Sequence, residues 1–93
     1  MWPFSRRRRP AVREVVMFTR QGCCLCETAW QTLEKAQRQF GFSLARVDVD
    51  ADPALAARYG LEVPVVQADG KVFFRGLVNP VLLDRLLRGR AGP

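Results

Sequence analysis

Ninety-three residues, 48% of them hydrophobic, make one small domain with a single modest core. No apolar run approaches the ~20 residues that a membrane-spanning helix needs, so a soluble protein is expected. The net charge of +6 is unevenly spread, because Arg6, Arg7, Arg8 and Arg9 carry +4 without a neighbouring acid while the other 11 basic and 9 acidic side chains leave +2; the basicity belongs to the tail and not to the body.

Residues 1–10 show no periodicity and lack the apolar stretch that follows a basic region in a secretion signal. They read as a disordered basic extension ahead of a domain spanning 11–93. Trp2 and Phe4 beside the four arginines suggest a second reading, a weak contact of Arg6–Arg9 with nucleic acid or an anionic membrane. Val12 to Phe18 is β-branched and apolar at its end, as suits a strand buried on both faces, and Gly22 closes it. Leu25, Ala29, Leu33, Ala36 and Phe40 then recur at helical spacing, with Gly41 placed as a helix C-terminal glycine.

Strand chemistry resumes from Phe42 to Val49. Asp52-Pro53 pairs a capping side chain with a proline at the first helical position, so a short helix runs over Ala54–Tyr59 and stops at Gly60. Val63-Pro64-Val65-Val66 opens a third strand, and Asp69-Gly70 between apolar runs is a hairpin signal leading into Val72-Phe73-Phe74. Asn79-Pro80 repeats the cap and proline. Leu82, Leu83, Leu86 and Leu87 form the apolar face of a last helix, ended by Gly89, with Arg90-Ala91-Gly92-Pro93 frayed. The order β-α-β-α-β-β-α requires a parallel pair from the first crossover and an antiparallel pair across the hairpin, with helices on both faces of the sheet.

Three cysteines fall within four positions, Cys23, Cys24 and Cys26. A disulfide-stapled secreted domain spreads its cysteines to close long loops, so this cluster points to reactive thiols or metal ligands, with a reducing cytoplasm as the default location. Cys23 stands where a strand hands over to a helix, and unpaired N–H groups and the helix dipole there stabilise thiolate over thiol. Arg20, three positions earlier, adds positive charge. Cys23 is therefore the expected nucleophile and Cys26, one turn on, the resolving thiol. Cys24 reads as a spectator, since a bridge between adjacent cysteines has poor geometry. A complete zinc site would need carboxylates, as the chain has no histidine and no second C-x-x-C; a metal ion or iron–sulfur cluster shared between chains stays open. Proline at 64 cannot donate a ladder bond, and in a cis conformation it would turn the Val63 backbone toward the cysteines, where an extended substrate could add as a strand.

Gly22-Cys23-Cys24-Leu25-Cys26, Val47-Asp48-Val49-Asp50, Tyr59-Gly60-Leu61-Glu62-Val63-Pro64-Val65-Val66, Asp69-Gly70 and Gly76 together resemble the glutaredoxin-like branch of the thioredoxin superfamily, over residues 12–88. The resemblance implies an α/β, thioredoxin-like fold: a four-stranded mixed sheet in order 2-1-3-4 with three helices and a cis Pro64 beside Cys23. It also implies a thiol–disulfide oxidoreductase that reduces protein or glutathione mixed disulfides. Arg20, Leu25, Val63, Pro64 and Gly76 would line the substrate or glutathione site, with glutathione as a co-substrate, no tightly bound cofactor and a monomeric state. The chain departs from the family pattern in having Cys24-Leu25 for the usual Pro-Tyr and Gly76-Leu77 for the usual Gly-Gly. The alternative is a non-catalytic module of the same fold that binds a metal ion, an iron–sulfur cluster or a protein partner through its cysteines.

Overall fold

A computed structural model describes residues 11–89. The readings made of residues 1–10, including the contacts of Arg6, Arg7, Arg8 and Arg9, and of residues 90–93 lie outside it. The elements in order are β1 (Glu14–Thr19), α1 (Cys24–Phe40), β2 (Ser43–Asp48), a 3-10 turn (Val49–Ala51), α2 (Pro53–Tyr59), β3 (Val65–Ala68), β4 (Lys71–Arg75) and α3 (Pro80–Leu87). They build one sheet in order β2-β1-β3-β4, parallel between β1 and β2 and antiparallel elsewhere. The parallel β1–β2 pair and the antiparallel β3–β4 hairpin are those that the order of predicted elements required, and the strand order is the one that the family resemblance implied.

Alternation along β1 divides the core in two, because successive side chains of a strand point to opposite faces. Val15 and Met17 join Val66, Ala68 and Phe74 under α1 and α3, which contribute Ala29, Leu33, Leu83 and Leu87. Phe18 joins Val65, Val49 and Tyr59 on the other face, with Leu55 of α2 against them; the Phe18 and Tyr59 rings stack with centroids 4.7 Å apart. On β4 the register passes from Val66↔Phe74 to Gln67↔Val72. Phe73 is thus the extra residue of a β-bulge, which lets Val72 and Phe74 serve opposite faces although they are two apart.

The helix signals act as the sequence implied. Asp52 accepts the Ala54 N–H at 2.9 Å with Pro53 opening α2, and Asn79 accepts from Val81 and Leu82 at 2.9 and 3.2 Å with Pro80 opening α3. Three details differ. Val49 belongs to the 3-10 turn and not to β2, and it is fully buried there. Leu82 is half exposed, so α3 buries Leu83 and Leu87 and not the whole leucine set. Leu25 is 50% exposed, and the inward stripe of α1 begins at Cys26. One residue is a step of about 100° around a helix, so the first turn can present Cys26 or Leu25 to the sheet but not both.

Candidate active site

The register brings four strand ends together at one end of the sheet, the finish of β1, β2 and β4 and the start of β3. Thr19 pairs with Asp48 where β1 and β2 both finish, Phe18 pairs with Val65 where β3 begins, and Val65 pairs with Arg75 where β4 finishes. The turn after β1, the Leu61–Pro64 segment and the Gly76–Leu77 loop therefore meet at the carboxyl end of the parallel strands, where open α/β sheets bind their ligands.

Gly22 makes the turn that delivers Cys23 to the start of α1. Its φ is +79°, a region that a side chain at Cβ disfavours, while the space around it is open. Cys23 is the N-cap of α1, with extended backbone, and its Sγ accepts the Cys26 N–H at 3.2 Å. That bond and the N–H groups of Cys24 and Leu25, free among the described residues, aim backbone donors at the Cys23 end of the helix. The Cα atoms of Cys23 and Cys26 are 5.2 Å apart and their sulfurs stand at disulfide distance. Cys26 is 1% exposed and Cys23 half-buried, so an approaching molecule meets Cys23 first. Cys24 is exposed and outside the pair.

Pro64 is fully buried and its peptide bond with Val63 is cis. The Pro64 carbonyl accepts the Gly76 N–H at 2.8 Å, which fixes the two loops side by side. Val63 packs half-buried against the same core cluster as Cys23. Among the described residues neither its N–H nor its carbonyl has a hydrogen-bond partner. An extended strand presented here would find both groups ready to bond.

Arg20 is placed differently from a side chain held ready for a ligand. Its Nε and Nη2 donate to the two carboxylate oxygens of Asp50 at 3.0 and 2.9 Å, and its Nη1 donates to the Gly60 carbonyl at 3.1 Å. The hydrogen bonds it donates to Asp50, then the Asp50 charge, hold the guanidinium above its ordinary pKa; partial burial opposes this and the charge of Asp48 adds to it. Beside this tie lies an open polar cleft of about 370 Å³ between Gln21, Gly22, Glu27, Arg46 and Asp48. On its far side Arg46 lies over the Trp30 ring, 4.2 Å from the centroid.

Of the residues named from sequence, Arg20, Cys23, Cys26, Val63, Pro64 and Gly76 are brought to this end, Arg20 already paired with Asp50, with Leu25 exposed on the first turn of α1. Asp50, Gly60 and Glu62 stood in the family-like segments without a role in the site, and Arg75, which pairs with Glu62 at 2.8 Å, was not named. Only their places in the chain, beside the cysteine turn and the proline loop, could have flagged them. No group of three or more Cys, Asp or Glu side chains that could hold a metal ion occurs among the described residues.

Comparison with known proteins agrees with this geometry. Residues 14–88 match the family model described as glutaredoxin-like domain (DUF836). An uncharacterized protein of Mycobacterium tuberculosis strain H37Rv and one of Mycobacterium bovis are each 33% identical over 63 residues, covering 62% of this chain and 65% of the relative. The match thus spans just under two thirds of those relatives' length. Among solved structures, protein Ne2328 of Nitrosomonas europaea superposes with a TM-score of 0.71 at 27% identity, covering 82% of this chain and 92% of that one. Protein XcR50 of X. campestris gives 0.68 at 28% identity, with 81% and 96% covered. A thioredoxin of Halobacterium salinarum (its N21Q mutant) gives 0.61 at 28%, with 86% and 75% covered.

Proposed function

The chain belongs to the glutaredoxin-like domain family, and within it we propose a thiol–disulfide oxidoreductase that works through Cys23 and Cys26. The observation that carries this reading is the Cys23 sulfur, half-buried at the N-cap of α1, accepting the Cys26 N–H and standing at disulfide distance from a second, buried sulfur.

The reduced chain attacks through the Cys23 thiolate. A bond forms between Cys23 Sγ and one sulfur of the substrate disulfide, and the substrate S–S bond breaks, releasing the other sulfur as a thiolate that takes a proton from water. Cys26 then loses its proton and attacks Cys23 Sγ, forming the Cys23–Cys26 bond and expelling the second substrate thiolate. Two electrons pass from the dithiol to the substrate, and an external thiol or dithiol donor restores the pair. The unpartnered N–H and carbonyl of Val63 hold the substrate backbone as an added strand during the first attack.

The test is a single turnover. Chain reduced with excess dithiol and then freed of it is mixed with bis(2-hydroxyethyl) disulfide, and the thiols released and the mass of the protein are followed. The native chain should release two thiols per molecule and end oxidised. Cys23→Ser should release at most the single thiol that exposed Cys24 can exchange and form no internal bond, and Cys26→Ser should stop as a mixed disulfide on Cys23. Full release by Cys23→Ser, or no reaction by a native chain whose pair is demonstrably reduced, would overturn the proposal.

A further inference from the structure

Large apolar side chains are conspicuous on the loops around the cysteine pair. Among the described residues Leu61 is 99% exposed, Leu77 70% and Leu25 50%. Leu25 stands in the first turn of α1, two residues past Cys23. Leu61 lies two residues before Val63, and Leu77 follows Gly76, whose N–H is bonded to the Pro64 carbonyl. Val81 and Leu82, at the start of α3 a few residues past Leu77, are 62% and 51% exposed. Leucines scattered singly over a surface need no explanation, but several placed around one reactive group mark a docking surface.

The cations on the segments around the pair have partners among the described residues, including Arg46 on the cleft beside Gly22, which meets Glu27 at 3.9 Å and lies over Trp30. Arg20 is engaged by Asp50 and the Gly60 carbonyl, and Arg75 donates to Glu62 at 2.8 Å. A small anionic disulfide such as glutathione disulfide, which carries carboxylates near its sulfurs, would have to break one of these pairs to gain a cation. A neutral, apolar polypeptide segment would not. It would bury leucine surface that is now wet and bond its backbone to Val63.

We infer that the substrate of this site is a disulfide in another protein, borne on an extended segment with apolar side chains flanking the cystine, in preference to glutathione. The inference rests on the exchange chemistry proposed above and assigns its substrate class. Leu61, Leu77 and Leu25 receive the flanking apolar side chains and Val63 the backbone, while the ion pairs Arg20–Asp50 and Glu62–Arg75 hold the loops that carry them.

The experiment follows initial rates of the pre-reduced full chain with four disulfides: bis(2-hydroxyethyl) disulfide, glutathione disulfide, and two disulfide-linked peptides that flank the cystine with leucines or with glutamates. Dividing each rate by that for the small neutral disulfide removes the intrinsic reactivity of the pair. The leucine peptide should then exceed both glutathione disulfide and the glutamate peptide by about tenfold. In Leu61→Asn and Leu77→Asn, which alter exposed positions and no charge, that ratio for the leucine peptide should fall about fivefold. Equal or faster reaction with glutathione disulfide, or ratios unchanged in both variants, would overturn the inference while leaving exchange chemistry intact. Failure with the small neutral disulfide as well would remove the exchange reading and this inference with it.

Discussion

Arg20 reaches across the end of the sheet to Asp50, with Nε 3.0 Å from one carboxylate oxygen and Nη2 2.9 Å from the other, and its remaining Nη1 takes the Gly60 carbonyl. This two-pronged pairing fixes orientation as well as charge, because a planar guanidinium fork accepts only one alignment of a carboxylate. One side chain thereby joins the turn before Cys23 to the chain after β2 and to the C-terminal end of α2, directly ahead of Leu61–Pro64. The two halves of the candidate site are held together by it.

Arg20→Ala should therefore lower the thermal midpoint more than Asp50→Ala, since the first variant also strips the Gly60 carbonyl of its donor. The pH dependence follows from the sign of the shift. Arg20 is held above its already high ordinary pKa, so the stability it contributes is complete below the unfolded value and is lost only as pH rises through the folded one. The midpoint difference between native chain and Arg20→Ala should stay flat from about pH 6 to about pH 10. A difference that shrinks across that range in thermal melts would mean that another titrating group partners Arg20.

Gly60 and Gly22 resist substitution for different reasons and to different degrees, and variants separate them. A Cβ on Gly60 would sit 2.5 Å from the Ala56 carbonyl oxygen and 2.8 Å from Nη2 of Arg20. Gly60→Ala should cost about 1–3 kcal/mol through overpacking, and combining it with Arg20→Ala should cost less than the sum. Gly22→Ala meets open space and carries only its positive φ, so about 1 kcal/mol is expected. Urea unfolding of the four variants tests both; additive costs for Gly60→Ala and Arg20→Ala would show that they do not share a contact.

Much of this was legible in the sequence because the signals are local. Asp52-Pro53, Asn79-Pro80, Asp69-Gly70 and the turn at Gly22 each act within a few residues, and the order of elements then leaves few ways to pair the strands. The cysteine pair was legible for the same reason, since strand, turn and helix start adjoin in the chain. What escaped notice depends on distant partners. Arg20 read as a charge near Cys23, but its nearest carboxylate lies 30 residues on, at a position that only the β1–β2 register brings alongside. Leu25 read as core from its i+4 relation to Ala29, a spacing that Cys26 also satisfies at i+3. Composition cannot decide which of two adjacent apolar residues turns inward.

Cys24 is exposed and has no part in the Cys23–Cys26 pair. Cys24→Ser should react with bis(2-hydroxyethyl) disulfide within about twofold of the native rate. A loss of tenfold or so in the same single-turnover measurement would move Cys24 into the chemistry, as the thiol that resolves the mixed disulfide in place of Cys26.

Asp69 does two jobs that substitution can pull apart. With φ of +52°, followed by Gly70 at +84°, it makes the tight turn joining β3 to β4. Its carboxylate also accepts the N–H groups of Arg13, at 3.1 and 3.3 Å, and of Glu14, at 2.9 Å, while its own N–H donates to the Glu14 carbonyl at 2.8 Å. The turn thus anchors the start of β1, the strand that carries the cysteine turn at its other end. Asp69→Gly keeps the turn conformation and removes the acceptors, so about 1–2 kcal/mol should be lost. Asp69→Asn keeps one acceptor oxygen and tolerates the positive φ, and should lose less. Asp69→Val removes the acceptors and strains the turn, and should lose most. Urea unfolding should return the order Asn, Gly, Val; equal losses for Gly and Asn would mean that the carboxylate contributes nothing and that the turn alone holds this end of the sheet.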